Sequence, residues 1–190
     1  RSFHVTGVQT CALPISQSIG ADAVDSPAVQ GVIDDLVDTL AASDGVGLAA
    51  PQIGVGLQIF VWLAVSETEP ETAEPKGPDR DAAEPEGTEP RVRVVVDPGL
   101  EPAARDLVYG WEGCLSIPEI RGLVPRYPVV RLTGRDRDGT LIDERIEGFE
   151  ARILQHEFDH LNGVLFLDRM RDLQSLTYED EDIWQDEVNR

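Results

Sequence analysis

Apolar positions follow three different spacings along this chain. Asp25-Ser26-Pro27 offers a capping side chain and then proline at a first helical position. Val29, Val32, Ile33, Leu36, Val37 and Leu40 follow at three- and four-residue steps, which predicts a helix with one apolar stripe ending near Ser43 to Gly45. Leu57 to Val65 is instead a continuous run rich in β-branched and aromatic residues, the pattern of a buried strand, and Val92 to Val96 resumes as strand. Residues 66–91 between them carry five prolines among many Asp and Glu. Such a stretch cannot bury a core and is expected to be a disordered or extended surface insertion. Val129 to Arg135 and Thr140 to Ile146 flank Asp138-Gly139, a strong hairpin signal. Phe149 to Leu161 has helical periodicity and stops at Asn162-Gly163. The tail from Asp168 is polar and acidic, with a helical pattern around Ile183 to Val188, and no internal repeat is visible. Strands in succession with helices at either end predict an α+β fold.

Composition narrows the function classes. A chain of 190 residues, 41% hydrophobic, fits one domain with a sizeable core. No apolar run approaches the roughly 18 residues of a membrane span. Residues 1–20 lack the basic start and continuous apolar stretch of a signal peptide, so the expectation is a soluble cytoplasmic protein that does not engage membranes. The net charge of −20 argues against direct nucleic-acid binding, which depends on Lys and Arg neutralising phosphates. Cys11 and Cys114 are not expected to pair, because cytosolic chains rarely keep disulfides. Val5 to Ile15 resembles the in-frame translation of a common sequencing adapter, so residues 1–16 are expected to be an artefactual extension. The expected division is then a catalytic domain over 17–175, interrupted at 66–91, and an acidic tail over 176–190.

The sharpest chemical feature is His156-Glu157-Phe158-Asp159-His160. Residues four apart on a helix share a face, so two imidazoles can bind one metal ion while the neighbouring Glu acts on water. A bare five-residue match also arises by chance on polar helix faces. A catalytic site further needs a third protein ligand and an open position. Downstream of the motif there is no His or Cys. Upstream, Glu112-Gly113-Cys114-Leu115-Ser116 offers a thiolate beside a glycine that lets backbone come close. Gly45-Val46-Gly47-Leu48-Ala49-Ala50-Pro51-Gln52 is weaker alone; it marks a tight turn and lacks the Lys and Ser or Thr of a phosphate loop.

Taken together and in this order, the three segments resemble the signature motifs of the peptide deformylase family, and all three are complete. Ala151-Arg152-Ile153-Leu154-Gln155 further resembles the branch found in organelles and some bacteria. Asp97-Pro98 departs from the Asn-Pro of many members but lies outside the motifs. The resemblance implies antiparallel or mixed sheets around a central helix carrying the His-Glu-x-x-His residues. It implies a metallohydrolase that removes the formyl group from the formyl-methionine of new polypeptides and releases formate. Cys114, His156 and His160 would hold one divalent ion, often Fe2+, with Zn2+, Ni2+ or Co2+ also able to occupy the site. Glu157 would shuttle the proton; the Gln52 amide and the Leu115 N–H would donate to the developing oxyanion. Val46, Phe149 and the His156 ring would wall a methionine pocket, the peptide backbone would run beside Val46, Gly47 and Gly113, and Arg121 would touch the chain further along. Substrates that are nascent chains invite docking on the ribosome, although the acidic tail argues against simple attraction to its RNA. Two other classes remain open at this point. A zinc endopeptidase would share the helix motif without Glu-Gly-Cys-Leu-Ser, and a binding protein would use a closed structural metal.

Overall fold

The computed structural model describes residues 15–64 and 91–178. Helix α1 spans Pro27–Ala41, and the Ser26 side chain accepts a hydrogen bond from the Val29 N–H at its start. Strands β1 (Gly47–Ala49), β2 (Ile59–Leu63), β3 (Val92–Pro102), β6 (Val129–Arg135) and β7 (Leu141–Glu147) form an antiparallel five-stranded sheet in the order β1-β2-β3-β6-β7. Strands β4 (Val108–Cys114), β5 (Ile117–Arg126) and β8 (Thr177–Tyr178) form a second, three-stranded sheet in the order β4-β5-β8. Helices α2 (Gly148–Leu161) and α3 (Phe166–Arg169) follow the hairpin of β6 and β7.

The apolar run of β2 is continuous because both of its faces are covered. Ile59 and Val61 join the core beneath α1, whereas Phe60 and Trp62 join the core beneath α2. Val94 and Val96 of β3 face the first core and Val95 the second. Side chains alternate across a strand, so one sheet separates two helices and each face builds its own core. A third cluster, Cys114, Val124 and Phe166, ties the small sheet to α3.

The expected helix over 149–161 and the 129–146 hairpin agree with α2, β6 and β7 within a residue or two. Gly163 has a φ of 70°, the left-handed residue just past the helix that its end requires. Strand β3 runs six residues beyond the predicted Val96. A bulge at Asp97-Pro98 bends it onward, with Asp97 at a φ of 49°. The Asp97 carboxylate accepts the main-chain N–H groups of Ile19 and Gly20, each at 2.8 Å. Both oxygens are used, where an Asn amide would offer one acceptor; the departure noted above thus clamps the start of the described chain.

The insertion expected at 66–91 lies outside the described residues except for Arg91. Its two ends already meet: the Ala64 N–H donates to Arg91 O at 3.0 Å, and Leu63 pairs with Val92. The expected tail helix around Ile183 to Val188, and Cys11, also lie outside the described residues. So does most of the 1–16 span; within it, Ser16 is buried and its N–H donates to Leu161 O at 2.9 Å. Only the main chain of Ser16 is used, since its hydroxyl has no hydrogen-bond partner among the described residues.

Candidate active site

Three elements converge where α2 crosses β1 and the end of β4. Helix α2 carries His156, Glu157 and His160; β4 ends at Cys114; β1 and the turn after it carry Gly47 and Gln52. The ligand atoms of Cys114, His156 and His160 all lie within 4.8 Å of one another. Cys114 Sγ is 3.3 Å from His160 Nε2 and accepts the Ser116 N–H at 3.4 Å. Cys114 carries a free thiol.

His156 is aimed by a chain of buried ions. Its Nδ1 lies 3.0 Å from Glu112 Oε2, which leaves Nε2 to face the cluster. Glu112 also accepts both Nε and Nη2 of Arg126, each at 2.9 Å, and Nη1 of Arg152 at 2.8 Å. Arg126 Nη1 continues to Asp159 Oδ2 at 2.6 Å, and Arg169 closes on the same carboxylate. Burial works against the Glu112 carboxylate, but hydrogen bonds from His156 and Arg126 outweigh it and hold its pKa at about 2. Burial likewise opposes the His156 imidazolium, yet hydrogen bonds to Cys114 and Glu112, with the Glu157 charge, lift its pKa to about 10. His160, buried beside that positive ring, is pushed down to about 3.

Glu157 is 4% exposed, and its Oε2 has no hydrogen-bond partner among the described residues. Loss of hydration, partly offset by the positive His156, raises its pKa to about 7. It lies against Gly47, where a Cβ would fall 2.5 Å from Glu157 Oε1, so only glycine admits this carboxyl. Gln52 is buried and its amide is fixed: Oε1 accepts the Ala49 N–H at 2.7 Å, and Nε2 donates to Ser116 Oγ at 3.3 Å.

A cavity of about 450 Å³ opens onto these groups, a size typical of ligand sites. Val46, Gly47, Gln52, Gly113, Cys114, Leu115, Phe149, His156 and Glu157 all line it, so the structure brings these expected site residues together. His160, the third member of the cluster, is 2% exposed and does not line the cavity. Arg121 does not line the cavity. Its guanidinium stands 5.2 Å from the ring centroid of Trp111, and it is Trp111 that reaches the wall. Nothing local marks the roles of Arg126, at the end of β5, and Arg152, on α2: each is one Arg among many until strand and helix pack together. For Asp159 a signal existed, since it lies inside the His-Glu-x-x-His segment.

The fold and site are those of a small α+β hydrolase with a Cys-His-His group able to hold a metal. The chain belongs to the polypeptide deformylase family, whose pattern matches residues 14–176. It is 42% identical over 159 residues to peptide deformylase 1 of Nitrosomonas europaea, covering 84% of this chain and 82% of that protein. Among solved structures it resembles a Met-Ala-Ser-bound class I type b peptide deformylase from Acinetobacter baumannii, with a TM-score of 0.68 and 30% identity over 86% of this chain and 97% of that one. It also resembles the actinonin complex of the Synechococcus elongatus enzyme, with a TM-score of 0.67 and 29% identity over 87% and 78%. The reaction is hydrolysis of the N-formyl group of nascent peptides. Among the described residues, no helix is long and apolar enough to cross a membrane.

Proposed function

We propose that Cys114, His156 and His160 hold one divalent metal ion, and that the cavity beside them receives the formyl-methionyl end of a new polypeptide. The observation that carries this reading is the donor set, a thiol and two imidazoles clustered next to a buried carboxyl whose Oε2 has no hydrogen-bond partner among the described residues. Tetrahedral sites with metal–sulfur bonds of about 2.3 Å and metal–nitrogen bonds of about 2.0 Å set their ligand atoms roughly 3.5 Å apart. The 3.3 Å between Cys114 Sγ and His160 Nε2 fits such a site. Fe2+ is the proposed working ion, and the mixed sulfur and nitrogen donors also accept Zn2+, Ni2+ or Co2+. When bound, the ion polarises the formyl carbonyl and acidifies water at neutral pH.

The chain's own residues supply the remainder. Glu157, with a pKa near operating pH, takes the proton from the attacking water and returns it to the leaving amine. Gln52 Nε2, oriented because its Oε1 is tied to Ala49, donates with the Leu115 N–H to the oxygen where charge develops. The peptide main chain runs beside Val46, Gly47 and Gly113 as an added strand. Val46 and Phe149 are 41% and 56% exposed, and with Ile153 and the His156 ring they form the wall that the methionine side chain covers. Arg121, over the Trp111 ring and outside the cavity lining, touches the later residues of the peptide.

In this reading α2 is the centre of the catalytic unit, the unit covers 17–175, and the enzyme works in the cytoplasm on chains leaving the ribosome. The acidic segments at 66–91 and 176–190, and the extension at 1–16, take no part in the chemistry. The test is formate release from formyl-Met-Ala by anaerobically purified protein, with metal analysis on the same sample. Turnover with about one Fe2+ per chain is expected. A protein that carries metal and cleaves an internal peptide, but releases no formate, would be an endopeptidase instead.

A further inference from the structure

The cavity wall carries one arginine, Arg152, whose guanidinium enters the ion chain above only through its bond to Glu112. Arg152 stands one turn before His156 on α2, so the two share a face, and it lines the same cavity as Phe149 and Ile153. Its guanidinium lies flat on β4 at Gly110, where a Cβ would be only 2.7 Å from Arg152 Cζ and Nη2. Nη1 donates to Glu112 Oε1 at 2.8 Å and to Val124 O at 2.9 Å, with Gly110 O at 3.4 Å; Nη2 donates to Val108 O at 2.9 Å. The group is therefore immobile. A guanidinium carries five N–H donors, and the bonds among the described residues use neither the Nε–H nor the second Nη2 hydrogen.

Phe149, Arg152, Ile153 and His156 line the same cavity, so a methionine side chain seated against Phe149, Ile153 and the His156 ring has Arg152 as a neighbour in the wall. A purely apolar wall would suffice for a thioether. A fixed cation with unused donors suits a side chain that ends in an oxygen.

We propose that Arg152 lets this enzyme deformylate peptides whose first residue is methionine sulfoxide as well as methionine. The proposal rests on the cavity being the methionine pocket. Oxidation turns the thioether into a polar, chiral group, and burying its oxygen without a partner would cost roughly ten- to a hundredfold in rate or affinity. A donor held in one place removes that loss for the sulfoxide epimer whose oxygen meets it. The reaction itself is unchanged: water cleaves the formyl amide, and no bond to sulfur is made or broken.

The test measures kcat/KM with the metal-loaded full chain on formyl-Met-Ala, formyl-norleucyl-Ala and both epimers of the formyl-Met-sulfoxide dipeptide. One epimer should fall within about tenfold of formyl-Met-Ala. Arg152→Leu should lower that epimer by about tenfold or more relative to norleucine, and Arg152→Lys should restore part of the loss. Because both substrates are read in the same sample, a loss of folded protein cancels in the ratio. If Arg152→Leu does not fold, Arg152→Gln and Arg152→Lys take its place. Calorimetric binding of the unformylated Met-Ala and Met-sulfoxide-Ala products, which needs no turnover, should show the same order. Discrimination beyond tenfold against both epimers, or a ratio that the Arg152 variants leave unmoved, overturns the inference. Failure to release formate from formyl-Met-Ala would overturn the proposed function instead.

Discussion

Replacing Arg126 with methionine tests whether the buried ion chain holds the site together. Its side chain is 5% exposed and makes three charge-assisted hydrogen bonds, two to Glu112 and one to Asp159. Glu112 and Asp159 are themselves about as buried, with 5% and 6% of their side chains exposed. Removing one partner from a buried ion pair costs about 3–5 kcal/mol, because the other charge is left without compensation. Here both carboxylates keep some support, Glu112 from Arg152 and His156, and Asp159 from the half-exposed Arg169. The expected loss therefore sits at the low end, about 3 kcal/mol, which for a domain of this size lowers Tm by roughly 6–12 °C. His156 also loses the clamp on the carboxylate that aims it, so metal affinity should fall by about 10- to 100-fold. The assay is urea unfolding with and without chelator, alongside a competitive metal titration. Arg169→Met is the control; with 49% of its side chain exposed, it should cost clearly less. A loss below about 1 kcal/mol for Arg126→Met, with unchanged metal affinity, would refute the reasoning.

Glu157→Ala should retain metal and lose turnover by about a hundredfold or more; loss of metal on substitution would make Glu157 a ligand instead. Gly47→Ala would press a methyl group onto Glu157 Oε1, 2.5 Å away, and should lower kcat far more than stability; equal activity would mean that the strand shifts freely. The folded-state pKa of Glu112, about 2, lies below its ordinary 4.5, so its contribution to stability is complete above 4.5 and is lost as pH falls toward 2. In metal-free protein, Glu112→Gln should flatten this acid limb of the stability curve, and an unaltered limb would assign acid lability elsewhere. Replacing residues 65–90 with a tight turn should leave kcat/KM within about twofold, since Ala64 and Arg91 are already hydrogen-bonded and an acidic, proline-rich span adds nothing to a core. Collapse of folding would give the insertion a structural role.

The elements legible in the sequence were those whose signal is local. The stripe of α1, the Asp138-Gly139 turn and the Asn162-Gly163 stop are each set by neighbouring residues; the last two appear within a residue or two of their expected places, and α1 starts at Pro27 as expected but ends at Ala41, short of the expected Ser43 to Gly45. The spacing of His156, Glu157 and His160 is also local, because one helix fixes it. Strands β4 and β5 carried no such signal. Gly110, Gly113, Pro118, Gly122 and Pro125 interrupt any alternation, and these strands are held by pairing with each other rather than by propensity. Only tertiary structure brought Cys114 to within 3.3 Å of His160 across 46 residues of chain, and linked Glu112, Arg126 and Asp159 into one buried network. Charges of this kind look like ordinary surface residues in a sequence. Their partners become neighbours only when separate strands and a helix close around them and exclude the water that would otherwise have screened each one alone.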